Sequence, residues 1–336
     1  FAEDSVAGKY CCATYINCPW CDSVLKKMER SAKRMKEQMM DKIASVAMES
    51  MLYEVSVTPK PGLVDRNNCG AHHDMDYFTF MSSAASLHAS FDEMVRVGME
   101  YRDVPVRELL TPLRKCGMKA EERMFSFTKG VNTHKGMIFT LGMLCGCAGW
   151  YLGKGSYSWD RLCDLVAEMC EGICAREYEG LEKKENLTKG ERMYLEYGLT
   201  GVRGEVEGGY KTVRTISLPV YENLRSQKIQ INEALVQTLL HLIAETADTN
   251  VVSRHDLETA EYAKEYAKKV LASGGIFSEE GRSLLQEMDQ DFIMRYISPG
   301  GCADLLAVTH FLYTLKEKEI FKYYIFLEEE RVKYRV

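Results

Sequence analysis

Lys60, Asp65, Arg66, His72, His73, Asp74 and Asp76 fall within one stretch, Thr-Pro-Lys-Pro-Gly-Leu-Val-Asp-Arg-Asn-Asn-Cys-Gly-Ala-His-His-Asp-Met-Asp, from Thr58 to Asp76. Such cations hold phosphate, carboxylates take up protons or ligate hard metal ions, and imidazoles do proton or metal work. Adjacent His72 and His73 lack the i, i+4 spacing that puts two imidazoles on one helical face, which disfavours zinc. Asp74 and Asp76, with Asp248, Asp304, Glu205 and Glu207 further along, offer hard oxygen ligands for Mg2+, an ion that usually bridges to substrate phosphates. Glu205 and Glu207 share a face only in extended backbone, because i, i+2 side chains diverge on a helix. Taken singly, each carboxylate is more often a cap or an ion-pair partner than a ligand.

Four more polar, mostly glycine-bearing knots recur along the chain. Thr128-Lys-Gly-Val-Asn-Thr-His-Lys-Gly136 directly precedes an apolar run. A helix starting there presents free N–H groups and partial positive charge to an anion. Lys135 and His134 can meet anionic oxygens, while Asn132 and Thr133 can cap the helix or bind. The others are Gly198 to Tyr210, with Arg203-Gly-Glu-Val-Glu-Gly-Gly; Asp248 to Arg254; and Ser298 to Asp304. No GxxxxGK[ST] loop occurs, and no dinucleotide GxGxxG follows a strand.

The elements that must position these knots read as helices. Ile43, Val46, Ala47, Ser50, Met51 and Glu54 form an i, i+3, i+4 stripe that delivers the chain into the Thr58 loop. The loop itself has no apolar period; Pro59 and Pro61 stiffen it, and Gly62 and Gly70 allow positive φ or close approach. Helices are expected over Tyr77–Met99, from Arg107 with a kink or restart at Pro112, over Lys119–Phe127 and over Trp159–Arg176. Others follow a cap at Thr188 and cover Asn232–Ala247, Leu257–Ser273, Glu279–Tyr296 and Leu305–Leu315. No run of regularly spaced alternating strands and no fixed-period repeat is present. The expected fold is all-α, a single large multi-helix domain whose Gly-rich loops at helix ends form one nucleotide site.

Composition bounds the rest. A net charge of −6 over 336 residues gives no basic field for nucleic acid. The 12 cysteines sit mostly in helical patterns, which suits reduced thiols in a cytoplasm better than a disulfide framework. The apolar run Met137–Leu152 contains three glycines and is shorter than a membrane span, so it is expected to be a buried core helix. Cys18-Pro-Trp-Cys21 has redox spacing but no βαβ context, and with Cys11 and Cys12 suggests at most a thiolate metal site. Residues 1–43 are read as a leader or linker, such as the end of an upstream fused domain, and 316–336 as a C-terminal extension.

The knots together resemble the triphosphoribosyl-dephospho-CoA synthases, which make the prosthetic-group precursor of citrate lyase and malonate decarboxylase. The matching segments are Glu54–Arg66, Gly70–Met75, Gly130–Gly136, Gly198–Glu207, Asp248–Val251 with Arg254, and Ser298–Leu306, in the family's order across roughly residues 44–315. Two departures stand out. His255-Asp256 replaces a glycine pair, and Cys302 stands where a small residue such as serine is common.

The resemblance implies that the ribose 2′-hydroxyl of 3′-dephospho-CoA attacks C1′ of the ATP ribose, adenine leaves and the triphosphate is retained. Such a transfer wants a carboxylate near C1′, a base for the hydroxyl, and cations with Mg2+ to hold the triphosphate. On that basis Lys60, Arg66, His134, Lys135 and Arg203 are expected to hold phosphates, with His72 and Arg254 also binding substrate. Asn132, Thr133 and Asn250 orient it, Asp74, Asp248 and Asp304 bind Mg2+, and Glu205 or Asp65 is the base, with Lys135 and His134 also in the catalytic set. The downstream partner would be a holo-acyl-carrier-protein synthase, fused upstream in some organisms. The rival readings are a Mg2+-dependent ADP-ribosyl-type hydrolase and a non-catalytic nucleotide-binding helical module.

Overall fold

A computed structural model describes residues 19–154 and 158–321. Among them there is no β-strand, as the patterning predicts. The described residues open with α1 (Pro19–Ser56), one continuous helix through residues 43 and 44, then cross the loop to α2 (Tyr77–Glu100). Asp76 caps α2 through a reciprocal pair of bonds with Thr79. A 3-10 turn, Val106–Leu109, leads into α3 (Leu110–Phe127). Of the expected kink or restart at Pro112, the restart is what occurs: Pro112 sits in the first turn of α3, where its missing N–H has no helical partner to lose.

The apolar run is α4 (Lys135–Tyr151), almost entirely buried. It packs against α2 at close range because glycines face the contact. A Cβ on Gly98 would lie 1.9 Å from Gly146 O, and one on Gly149 would lie 2.0 Å from Val95 O. The single helix expected over Trp159–Arg176 is two, α5 (Trp159–Cys170) and α6 (Ile173–Tyr178), because Gly172 breaks it in the left-handed conformation at φ 72°.

Thr188 caps α7 (Lys189–Tyr197) in a capping box with Glu191. The knot after it contains a helix, α8 (Gly201–Glu207), where the sequence reads as loop. A π-turn over Val213–Ser217 runs into α9 (Leu218–Ser226). Then come α10 (Ile231–Glu245), α11 (Thr249–Arg254), α12 (Leu257–Ala272), α13 (Glu279–Arg295) and α14 (Gly300–Glu317). α14 is buried along most of its length and packs against α1, α4 and α10. The described cysteines are free thiols, most of them buried. No helix among the described residues is long and apolar enough to cross a membrane. Cys11, Cys12 and Cys18 and residues 322–336 lie outside the described residues, as does the side chain of Cys21.

Candidate active site

The Thr58 loop is ordered by its own carboxylate. Asp65 is buried and accepts from the backbone amides of Lys60, Asn67 and Asn68 at 3.1, 2.6 and 3.1 Å. Asp289, reaching in from α13, takes the Gly62 amide at 3.0 Å and Asn68 Nδ2 at 3.1 Å. Asn232 on α10 brackets Thr58 from both sides, accepting from its amide and donating to its carbonyl. Gly62, at φ 68°, lies so close to Ile297 O that a Cβ would be 2.0 Å away. The loop is thereby locked against α10 and α13, with Lys60 turned inward.

Lys60 pairs with Glu54, from the last turns of α1, and both side chains are almost wholly buried. Only one Glu54 oxygen is used; Oε2 is buried with no hydrogen-bond partner. Burial raises the Glu54 pKa against the opposing pull of Lys60. Asp304, in the second turn of α14, lies over the start of α4, where a Cβ on Gly136 would meet its Oδ2 at 1.8 Å. Burial, and after it the charges of Glu54 and Asp248, push the Asp304 pKa well above the usual carboxylate range.

Asp248 ties two helix starts together. Its Oδ1 accepts from Asn250 N at the head of α11, and its Oδ2 from Cys302 N in the first turn of α14, both at 2.8 Å. Ser298, just ahead of α14, bonds His72 Nε2 at 2.9 Å. Burial and the nearby Arg254 charge lower the His72 pKa to about 4, so the ring is neutral at physiological pH.

At the head of α4, Asn132 Oδ1 accepts from Lys135 N at 3.2 Å, and Lys135 Nζ reaches Glu121 at 2.8 Å. His134 is fully buried behind it. Thr133 Oγ1 donates to Ser83 Oγ, and Ser83 Oγ bonds His134 Nδ1, each at 2.7 Å, which leaves Nε2 as the ring's other nitrogen. That Nε2 has no partner. Burial and then Lys60 lower the His134 pKa to about 3. The ring expected to hold phosphate is buried, and it does not itself line the cleft.

These pieces meet in one cleft. Lys60, His72, Asn132, Thr133, Lys135, Asn250, Arg254 and Asp304 line it, as the sequence predicts, together with Glu54, Ser298 and Gly300. The heads of α4, α11 and α14 converge on it. Glu54 and Ser298 are absent from the expected site. Glu54 does leave a signal, a carboxylate on the buried stripe of an amphipathic helix, which is costly without a function or a partner.

Other expected residues lie elsewhere. Asp65 and Asp248 are occupied in capping. Asp74 is 65% exposed, 3.9 Å from His72 Nδ1. Arg66 is exposed and leans on Thr58 and Asn232. Arg203 pairs with Glu177, and Glu205 accepts from Thr212 N and Oγ1; neither lines the cleft. Because α8 is helical, Glu205 and Glu207 diverge, and Glu207 instead accepts from Gly172 N and Cys174 N at the head of α6. The departure at His255-Asp256 is filled with structural contacts: Asp256 caps α12 through Thr259 N, and His255 Nε2 donates to Tyr296 O.

Residues 40–322 match the family described as CitG: ATP:dephospho-CoA triphosphoribosyl transferase. The chain belongs to this family. A 2-(5''-triphosphoribosyl)-3'-dephosphocoenzyme-A synthase of Klebsiella pneumoniae is 42% identical over 281 residues, covering 83% of this chain and 93% of that protein. Proteins of the same name from Escherichia fergusonii and Pectobacterium atrosepticum are 40% and 42% identical, covering 83% and 79% of this chain and 92% and 86% of theirs. The family's match takes in the C-terminal part of α1, with Glu54, and all of α2 to α14, and so contains every residue that lines the cleft.

Proposed function

We propose that the cleft transfers the triphosphoribosyl group of ATP to the ribose 2′-hydroxyl of 3′-dephospho-CoA, and that Glu54 is the proton acceptor. The bond between the 2′-oxygen and C1′ forms, the bond from C1′ to adenine breaks, and adenine departs with a proton. The observation that carries the base assignment is the Glu54 Oε2, buried at the cleft floor with no partner. A hydroxyl placed there supplies the missing hydrogen bond and hands over its proton as the new bond forms. Lys60 holds the carboxylate in place through its other oxygen. Asp65 and Glu205, the bases expected from sequence, already spend their oxygens, Asp65 on backbone amides and Glu205 on the amide and hydroxyl of Thr212.

Phosphate is met by Lys135 at the head of α4 and by Arg254 at the end of α11. Asp304 feels the charges of Glu54 and Asp248, and Lys60 is the cation paired with Glu54. That excess of negative charge fits Mg2+. Among the described residues no group of three or more His, Cys, Asp or Glu forms a metal cage, and Mg2+ on a nucleotide asks for only one or two carboxylates. Asp304 would hold it, and the ion would neutralise the triphosphate. The product then goes to a holo-acyl-carrier-protein synthase in the cytoplasm.

Chromatography of the purified protein with ATP, Mg2+ and dephospho-CoA tests this. Adenine should appear only with dephospho-CoA present, alongside a product heavier by one triphosphoribosyl unit. Adenine or ribose phosphates without dephospho-CoA would instead make the protein a hydrolase.

A further inference from the structure

α13 ends at Tyr296, which adopts the left-handed conformation at φ 58° and ψ 30°. Its amide bonds Ile293 O, and the next amide, of Ile297, bonds Phe292 O. Helices usually place glycine at such a position, because a Cβ there is strained. Tyr296 nevertheless carries a ring, and that ring is 55% exposed. Neither the backbone nor the core accounts for it: glycine would relieve the first and take little from the second.

The surroundings do account for it. The Tyr296 ring meets His73 edge-on, with centroids 5.6 Å apart and planes at 67°. His73 follows His72, and His72 bonds Ser298, two residues beyond Tyr296; both His72 and Ser298 line the cleft. The Tyr296 carbonyl accepts from His255 Nε2 at 3.0 Å, which ties the end of α13 to the end of α11, next to Arg254. Two rings at a wide angle, His73 next to His72 and Tyr296 two residues before Ser298, offer a face and an edge to a flat partner beside the cleft. The buried charged floor of Glu54, Lys60 and Asp304 offers a neutral purine no aromatic or apolar face to stack on.

Both substrates of the proposed transfer carry adenine. Resting on that reaction, we infer that Tyr296 and His73 seat an adenine ring beside the cleft, with His255 as the positioning residue that fixes the Tyr296 backbone. A purine stacks on the tyrosine face as bases do on aromatic side chains elsewhere. The same nucleotide then extends its phosphates past Arg254 into the cleft. The strain at Tyr296 is retained because the ring is needed there.

Tyr296→Gly removes the ring and relaxes the backbone together. Its thermal midpoint should equal or exceed the wild-type value, while the KM for one adenine nucleotide rises roughly tenfold or more. Tyr296→Phe, which keeps the ring, should hold that KM within about twofold. His255→Ala should raise the same KM, and His255→Gln, whose amide can still donate to Tyr296 O, should restore it. A rise confined to ATP seats the departing base, and a rise confined to dephospho-CoA seats the acceptor's. Unchanged KM values for both substrates, or an equal rise in both, overturn the inference. Failure of the wild-type protein to release adenine would overturn the transfer reaction instead.

Discussion

The Lys60 ammonium and the Glu54 carboxylate form an ion pair sealed at the cleft floor, 1% and 2% exposed. Removing one partner of such a pair strands a buried charge, whereas replacing both leaves an uncharged floor. Lys60→Ala or Glu54→Ala should therefore cost about 3–5 kcal/mol of stability. The double variant Lys60→Met with Glu54→Gln should recover most of that in urea unfolding and still release no adenine.

Asp304→Asn should lose turnover and gain stability at neutral pH. The folded state raises the Asp304 pKa, so it binds the proton more tightly than the unfolded chain. The ionised carboxylate therefore costs stability increasingly as pH rises from the unfolded value through the raised folded one. Asparagine removes that cost, so the variant's thermal midpoint at pH 8 should exceed that of the wild type. Mg2+ should raise the midpoint of the wild type and leave that of the variant unmoved.

His134 and His72, held at about 3 and about 4, make acid costly in the opposite sense. Between those values and the ordinary 6.5 the unfolded chain binds protons that the folded state refuses, so stability falls as pH is lowered through that window. His134→Gln should flatten the slope of unfolding free energy against pH between about 4 and 6. An unchanged slope would contradict the neutral, buried assignment of His134.

Lys135 and Arg254 sit exposed at the cleft, so alanine there should leave the helical circular dichroism intact. Each lost contact to a phosphate is worth about 1.5–3 kcal/mol, or roughly a 10- to 100-fold rise in the KM for a phosphorylated substrate. The effect should shrink at high salt.

Glu205→Ala separates the two sources of assignment. Its carboxylate accepts from both the amide and the hydroxyl of Thr212, so its loss should cost about 1–2 kcal/mol of stability, as for a lost helix cap. The KM values should stay close to wild type. Abolished turnover in a stably folded Glu205→Ala protein would return the base to α8.

The sequence by itself determined the helical class and the knots that converge. Those features are local. The 3.6-residue apolar period, the Thr188 capping box and the prolines and glycines of the Thr58 loop act over a few residues, and they appear where the spacing puts them. Which charges are free to do chemistry is a long-range property, and only the tertiary structure decided it. Asp65 reads as a base until its own loop folds around it, and Glu205 until α8 turns it onto Thr212. His134 reads as a cation until α2 and α3 bury it against Ser83 and Met124. Conversely, Glu54 reads as one more position on the stripe of α1 until Lys60 claims one of its oxygens and nothing claims the other. Desolvation and hydrogen-bond satisfaction depend on neighbours remote in sequence, such as Asp289 for Gly62 and Asp248 for Cys302. Residue type and spacing fix where functional groups gather, and packing fixes which of them are left unspent.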